Sequence, residues 1–139
     1  MMAKWTLPEK IDKPIIVDDA TILIEGLKFD NDKLPFHLLP PELLEGVSAV
    51  LQFGAHKYAA RNWELGMDWS RPFGALMRHM WAWWRGQSTD DETGMSHLWH
   101  AGCCIAFLIA YEQRGVGKDD RPKSQDGIRE EVKLEMEKK

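Results

Sequence analysis

The sequence has little cysteine, no long apolar run and no excess of basic charge, and each absence closes off a class of protein. Its two cysteines, Cys103 and Cys104, are adjacent. Neighbours on a helix point about 100° apart, so these two do not readily bridge each other and read as small buried hydrophobes in a reducing compartment. No stretch reaches the roughly eighteen apolar residues of a membrane span, and no basic stretch followed by an apolar segment opens the chain. The longest apolar run, Ala101 to Tyr111, is the length of a buried core helix. A soluble, cytoplasmic protein with no membrane partner is expected. Lys and Arg number 18 against 22 Asp and Glu, a formal charge of −4. Proteins that grip the nucleic-acid backbone carry a clustered cationic excess, so a stable nucleic-acid duplex is not an expected partner. No internal repeat or low-complexity tract is present.

What the chain does contain is enough for one self-supporting domain. Its 139 residues are 44% hydrophobic, sufficient for a core without disulfide or metal staples. Seven tryptophans are the outlying number, and most of them fall between Trp63 and Trp84.

The hydrophobic spacing predicts an all-α domain. Residues 1–28 read as an N-terminal arm, with β-branched clusters at Ile15-Ile16-Val17 and Ile22-Leu23-Ile24. Residues 29–117 read as the helical domain, with three main helices. The first starts at Pro40-Pro41, where proline suits the first turn, and runs to about Lys57. Leu43, Leu44, Val47, Val50 and Leu51 share one arc of it, and Glu42, Glu45 and Gln52 the opposite one. The second is capped by Ser70 or Arg71 and ends at Gly86. Phe73, Leu76, Met77, Met80, Trp81, Trp83 and Trp84 form its apolar arc, read as core or subunit contact, with His79 at the edge and Arg78 opposite. The third runs from about Gly94 to Arg114, stopped by Gly115, and is apolar on nearly every side, as a central helix is. Residues 118–139 form a charged tail in which Ile128 to Lys139 could make a frayed helix. Three helices leave much apolar surface unburied, so a homo-oligomer is expected.

Three constellations could carry chemistry. His97 and His100, i and i+3 at the start of a helix, put two imidazoles on one face, where the helix dipole disfavours the charged ring and keeps both able to ligate a metal. The same pair could instead be satisfied core histidines, a reading the residues favour less. Glu42 and Glu45 place two carboxylates one turn apart, a way to hold Mg²⁺ or Mn²⁺ or simply a solvated face. Lys57, Tyr58, Arg61, Asn62 and Trp63 make a compact loop of phosphate ligands, a base- or ribose-reading amide and a stacking ring, or a loop whose aromatics plug the core.

Taken in order, Lys33-Leu-Pro-x-x-Leu-Leu-Pro-Pro-Glu42-Leu-Leu-Glu45, Phe53-Gly-Ala-x-Lys57-Tyr, Arg61-Asn-Trp63, Arg78-His79-x-x-Ala82-Trp, Arg85-Gly, Asp91-Glu-x-Gly94 and His97-Leu-x-His100-Ala resemble the phage dATP/dGTP diphosphohydrolase family. The resemblance spans residues 29–111. It implies hydrolysis of purine deoxynucleoside triphosphates, dGTP and dATP, to monophosphate and diphosphate with a divalent metal, Mg²⁺ or Mn²⁺, in a phage setting. The chain is also similar to MazG-like all-α pyrophosphohydrolases. Glu42 and Glu45 match the first acidic pair of that pattern, while His97 and His100 stand where a second acidic pair is expected. On this reading Glu42, Glu45, Asp91, Glu92, His97 and His100 surround the metal and attacking water, with Glu45, Glu92 and His97 the candidates for catalysis. Lys57, Arg61 and Arg78 clamp phosphates. Tyr58, Asn62 and Trp63 hold base and sugar, with His79 beside the substrate. The rival reading is a nucleotide-sequestering phage protein without catalysis, which needs the basic aromatic loop but no metal ligands.

Overall fold

Proline decides where the first helix begins. Pro40 is extended and Pro41 opens α1 (Pro41–Lys57), its missing N–H falling where a helix has no partner for one. The computed structural model describes residues 33–138. It is all-α, with α2 (Ser70–Trp84), α3 (His97–Arg114) and α4 (Gln125–Glu137) following, and only isolated β-bridges among the described residues. The expected N-terminal arm lies outside the described residues. No described helix is long and apolar enough to cross a membrane.

The third helix is central, packing against both α1 and α2, and it buries Ala101, Cys103 and Tyr111. Glycines let α1 approach closely: a Cβ on Gly46 would lie 2.5 Å from the Trp99 ring, and one on Gly102 would lie 3.1 Å from Val47. Gly115 ends α3 in the left-handed conformation, φ 64°, as glycine does at helix ends. The expected start at Gly94 is three residues early. The chain from 88 to 96 is instead tied up in its own loop, with Thr89 bridged to Ser96, and Ser96 caps the helix by accepting from the Leu98 N–H at 3.2 Å.

The cap of α2 also differs from expectation. Trp69 precedes the helix and makes no side-chain cap. Asp120, from beyond α3, accepts from the Ser70 backbone N–H at 2.8 Å and from the Ser70 hydroxyl at 2.5 Å. The segment after α3 is thus stitched to the segment before α2. Trp69 donates its backbone N–H to Lys118 at 2.9 Å, Lys118 donates to Met67 at 3.2 Å, and the Trp69 indole donates to Val116 at 2.9 Å. The bonds from Ser70 hold the Asp120 carboxyl below the usual carboxylate range. A depressed carboxyl contributes stability that is full above its unfolded value, near 3.8, and is lost as pH falls through the folded one. Asp120→Ala therefore lowers the melting temperature at neutral pH, and the gap from wild type closes in acid below that value. A gap that persists unchanged at low pH contradicts the capping role.

The apolar arc of α2 is not the core of the single chain. Phe73 is 54% exposed and Trp84 72%, while the buried residues of this helix are Pro72 and Ala82. The smaller face turns inward because α3 presses against it, and the aromatic face is left to solvent. In the tail, α4 begins earlier than expected because Ser124 caps it, accepting from Gly127.

Candidate active site

A cleft of about 1280 Å³ is lined by α1, the loop after it, α2 and the first half of α3. The loop from Tyr58 to Gly66 carries two non-glycine residues at positive φ, Ala59 at 147° and Arg61 at 62°, conformations that are kept only where the surroundings enforce them. The enforcement is visible at Trp63, which stacks on Phe107 with ring centroids 4.6 Å apart while its carbonyl accepts from the buried Tyr111 hydroxyl at 2.6 Å. Arg114 sits over the same indole, 5.5 Å from its centroid, and pairs with Glu64 at 3.2 Å. Trp63 is therefore engaged within the protein, by Phe107 and Arg114 of α3. Tyr58 is the most exposed aromatic ring of the lining, 66% exposed, with the Lys57 ammonium 5.5 Å from its centroid.

Histidines from two helices meet at one wall. His79 Nδ1 of α2 lies 2.9 Å from His97 Nδ1 of α3, and the His79 ring stacks on His100 at 4.6 Å. Asp90 joins them from the loop between the helices. Its Oδ1 accepts from the backbone N–H of Glu92 at 3.1 Å and from the N–H and hydroxyl of Thr93 at 3.0 and 3.1 Å. Such an Asx-type turn fixes a carboxylate in place. The Thr93 hydroxyl also lies 2.7 Å from His100 Nε2. His79, Asp90 and His97 bring ligand atoms within 4.8 Å of one another, close enough to hold one metal ion. His97 is only 5% exposed, and its Nε2 finds no hydrogen-bond partner.

The electrostatics keep His79, His100 and Asp90 in the forms a metal takes. Burial, then the neighbouring His100, lowers the His79 pKa, and burial lowers that of His100, so both rings stay neutral. Burial pushes the Asp90 carboxyl up, but the bonds from Thr93 outweigh it and leave the group below the ordinary range. The thiols on the same wall are inert: burial pushes Cys103 up to about 12 and also raises Cys104, far from the thiolate that nucleophilic chemistry needs.

The residues singled out in the sequence divide in three ways. Lys57, Tyr58, Arg61, Asn62, Trp63, Arg78, His79, Glu92 and His100 all line the cleft. Lys57 is hydrogen-bonded to Glu92 across its mouth, an interaction that raises the Lys57 pKa, and Arg61 pairs with Glu64 at 3.1 Å. His97 lies behind His79. Glu42, Glu45 and Asp91 are exposed and outside the lining. Asp91 accepts from Gln87 at 3.4 Å, and Glu45 lies one turn before the lining residue Ser48. Two lining residues were missed. Asp90 was passed over for its acidic neighbours, although an Asp three residues before a Thr is the signature of a side-chain-bonded turn. Arg71 had been read as a helix cap. Neither Arg71 nor Arg78 has an ion pair among the described residues.

Comparison with known proteins bears on this cleft directly. Residues 24–121 match the family model described as "dATP/dGTP diphosphohydrolase, N-terminal", a span that contains every lining residue. A relative named "dATP/dGTP diphosphohydrolase", from Salmonella phage PMBT28, is 35% identical over 108 residues, covering 76% of this chain and 37% of that protein. The chain thus spans well under half the length of that relative. No solved structure matches it. With the family model covering most of the chain and the relative agreeing over most of it, the chain belongs to the dATP/dGTP diphosphohydrolase family, to the part of it described as N-terminal.

Proposed function

We propose that the chain hydrolyses purine deoxynucleoside triphosphates, dGTP and dATP, to the monophosphate and diphosphate with the help of a divalent metal ion. One observation carries the reading: a metal-competent His79–Asp90–His97 group stands in the wall of a cleft that also presents Lys57, Arg61, Arg71 and Arg78. The relative's name supports the substrate class. His79, Asp90 and His97 would hold the ion, two imidazoles and one carboxylate being a donor set that fits a cation. When bound, a divalent ion polarises a phosphoryl oxygen and makes a water more acidic.

The other roles follow from what each side chain has free. Arg71 and Arg78 take the phosphate oxygens, which a guanidinium binds through paired N–H groups. Glu92, an acid of the cleft lining beside Asp90, accepts the proton of the attacking water, and Lys57 holds its carboxylate in place until phosphate arrives. Glu45, beside the lining on α1, is the second candidate for that proton, and Glu42 and Asp91 stay outside it. Tyr58 offers its exposed face to the purine and Asn62 its amide to the sugar, while Trp63 sets the loop's position. Thermal shift against the four common deoxynucleoside triphosphates tests the binding part: dGTP and dATP raise the melting temperature more than dCTP and dTTP. No nucleotide-dependent rise contradicts it. Binding without consumption is the outcome of the sequestering reading.

The chain works as a homo-oligomer in a host cytoplasm. Among the described residues the buried apolar ones are Ala82, Ala101, Cys103 and Tyr111, a small core for a free-standing domain, while Phe73, Met77, Trp81 and Trp84 lie exposed on one helix. A second copy of the same chain covers that face. Light scattering gives a mass that is a multiple of 16.0 kDa, and Trp84→Glu moves it toward the monomer; a wild-type particle of monomer mass contradicts the assembly.

A further inference from the structure

We propose that His79, Asp90 and His97 form a nitrogen-rich site for a borderline transition metal ion, Zn²⁺ or Co²⁺, in preference to Mg²⁺. The inference deepens the hydrolase reading by naming the ion its chemistry uses, and it departs from the carboxylate-bound Mg²⁺ that the acidic pair on α1 suggests. Glu42 and Glu45 lie outside the one group of described residues whose ligand atoms converge. That group offers two imidazoles and one carboxylate, with a third imidazole, His100, stacked on His79. Mg²⁺ takes oxygen ligands and loses its waters reluctantly, whereas imidazole favours the later first-row ions.

Two details suit an ion between these side chains. The 2.9 Å between the two Nδ1 atoms is a few tenths of an ångström short of the roughly 3.3 Å between tetrahedral ligands about 2.0–2.1 Å from one ion, so a small ring movement admits the ion. Asp90 brings a carboxylate among three imidazoles, with no Lys or Arg side chain bonded to it among the described residues; the groups around it include Thr93, His79, His97 and His100. The Thr93 hydroxyl ties Asp90 to His100, as outer-shell bonds orient metal ligands.

The test is metal binding by the chelator-stripped full chain. Competition against a colorimetric Zn²⁺ chelator gives one Zn²⁺ per chain, at least 100-fold tighter than Mg²⁺, and Co²⁺ gives a visible absorption band of nitrogen and oxygen ligation. His97→Ala and His79→Asn each weaken Zn²⁺ at least tenfold, and the Glu42→Gln/Glu45→Gln double variant leaves it unchanged. His79 borders the cleft, so its variant keeps the test alive if the buried His97→Ala fails to fold. Zn²⁺ affinity insensitive to His79, affinity lost with the glutamate pair, or Mg²⁺ bound as tightly as Zn²⁺ overturns the site. Zn²⁺ bound as expected with no nucleotide consumed overturns the hydrolase reading and upholds the metal site. Nucleotide consumed with Mg²⁺ and untouched by His79→Asn does the reverse.

Discussion

Glu92→Gln lowers turnover of dGTP by about 10²- to 10⁴-fold, the usual contribution of a positioned general base, and leaves KM little changed. Three acids stand in a row at residues 90 to 92, and the structure separates them. Asp90 turns inward to Thr93 and the histidines. Asp91 turns to Gln87. Glu92 lines the cleft and meets Lys57. The amide of Gln keeps the shape of the side chain but cannot take a proton from water, so the loss falls on kcat. Folding is untouched, because both partners of the Lys57–Glu92 pair are largely exposed and such pairs contribute little to stability. Asp91→Asn is the internal control and retains full activity. Equal losses at the two positions, or a loss confined to KM, contradict the assignment of the base to Glu92.

Gly117→Ala destabilises the chain by about 3 kcal/mol or more, a cost of the size that forced overpacking and backbone strain together produce. Gly117 has φ 78°, and a Cβ there would lie 2.3 Å from the Met67 carbonyl oxygen. That oxygen already accepts from the Lys118 N–H, so neither strand of the crossing can move without breaking the bond. Gly66 faces the same crossing from the other side at φ 85°, its added Cβ meeting Gly117 at 2.6 Å. The crossing carries Asp120 to the start of α2, so its loss loosens the helix that bears Arg71, Arg78 and His79. The melting temperature falls by roughly 10 °C or more for a domain of this size. Gly115→Ala provides the comparison. Its φ of 64° is as unfavourable, but an added Cβ meets nothing within 4 Å, and only the left-handed conformation costs, about 1 kcal/mol. If the two variants melt together, the crossing does not hold the fold as described.

The helices were legible because their ends are marked locally. Pro41 begins α1 and Gly115 ends α3 by properties of the residue itself. What could not be read is what depends on a distant partner. Nothing near Ser70 announces Asp120, fifty residues on. The period of α2 correctly sorted its residues into two faces, but amphipathy says only that a face needs cover, and within one chain α3 takes the face with Ala82. In the cleft lining, the segment from Lys57 to Trp63 is legible in the sequence because its residue types are contiguous. The role suggested for Trp63 is different: an indole can stack on a purine or on Phe107, and only packing decides. His79 was set with the substrate because its own helix gives no sign of His97. Asp90 was hidden among three acids, since its inward turn is made by bonds to Thr93 rather than by any preference of its own.

The central claim is tested most directly by the products formed from dGTP. The purified chain is incubated with dGTP and, in separate reactions, Mg²⁺, Mn²⁺ or Zn²⁺, and the nucleotides and phosphates are separated and counted. The account predicts dGMP and diphosphate in equal amounts, in a reaction stopped by chelator and by Glu92→Gln. Intact dGTP with every ion, or dGDP with single phosphate as the products, contradicts it.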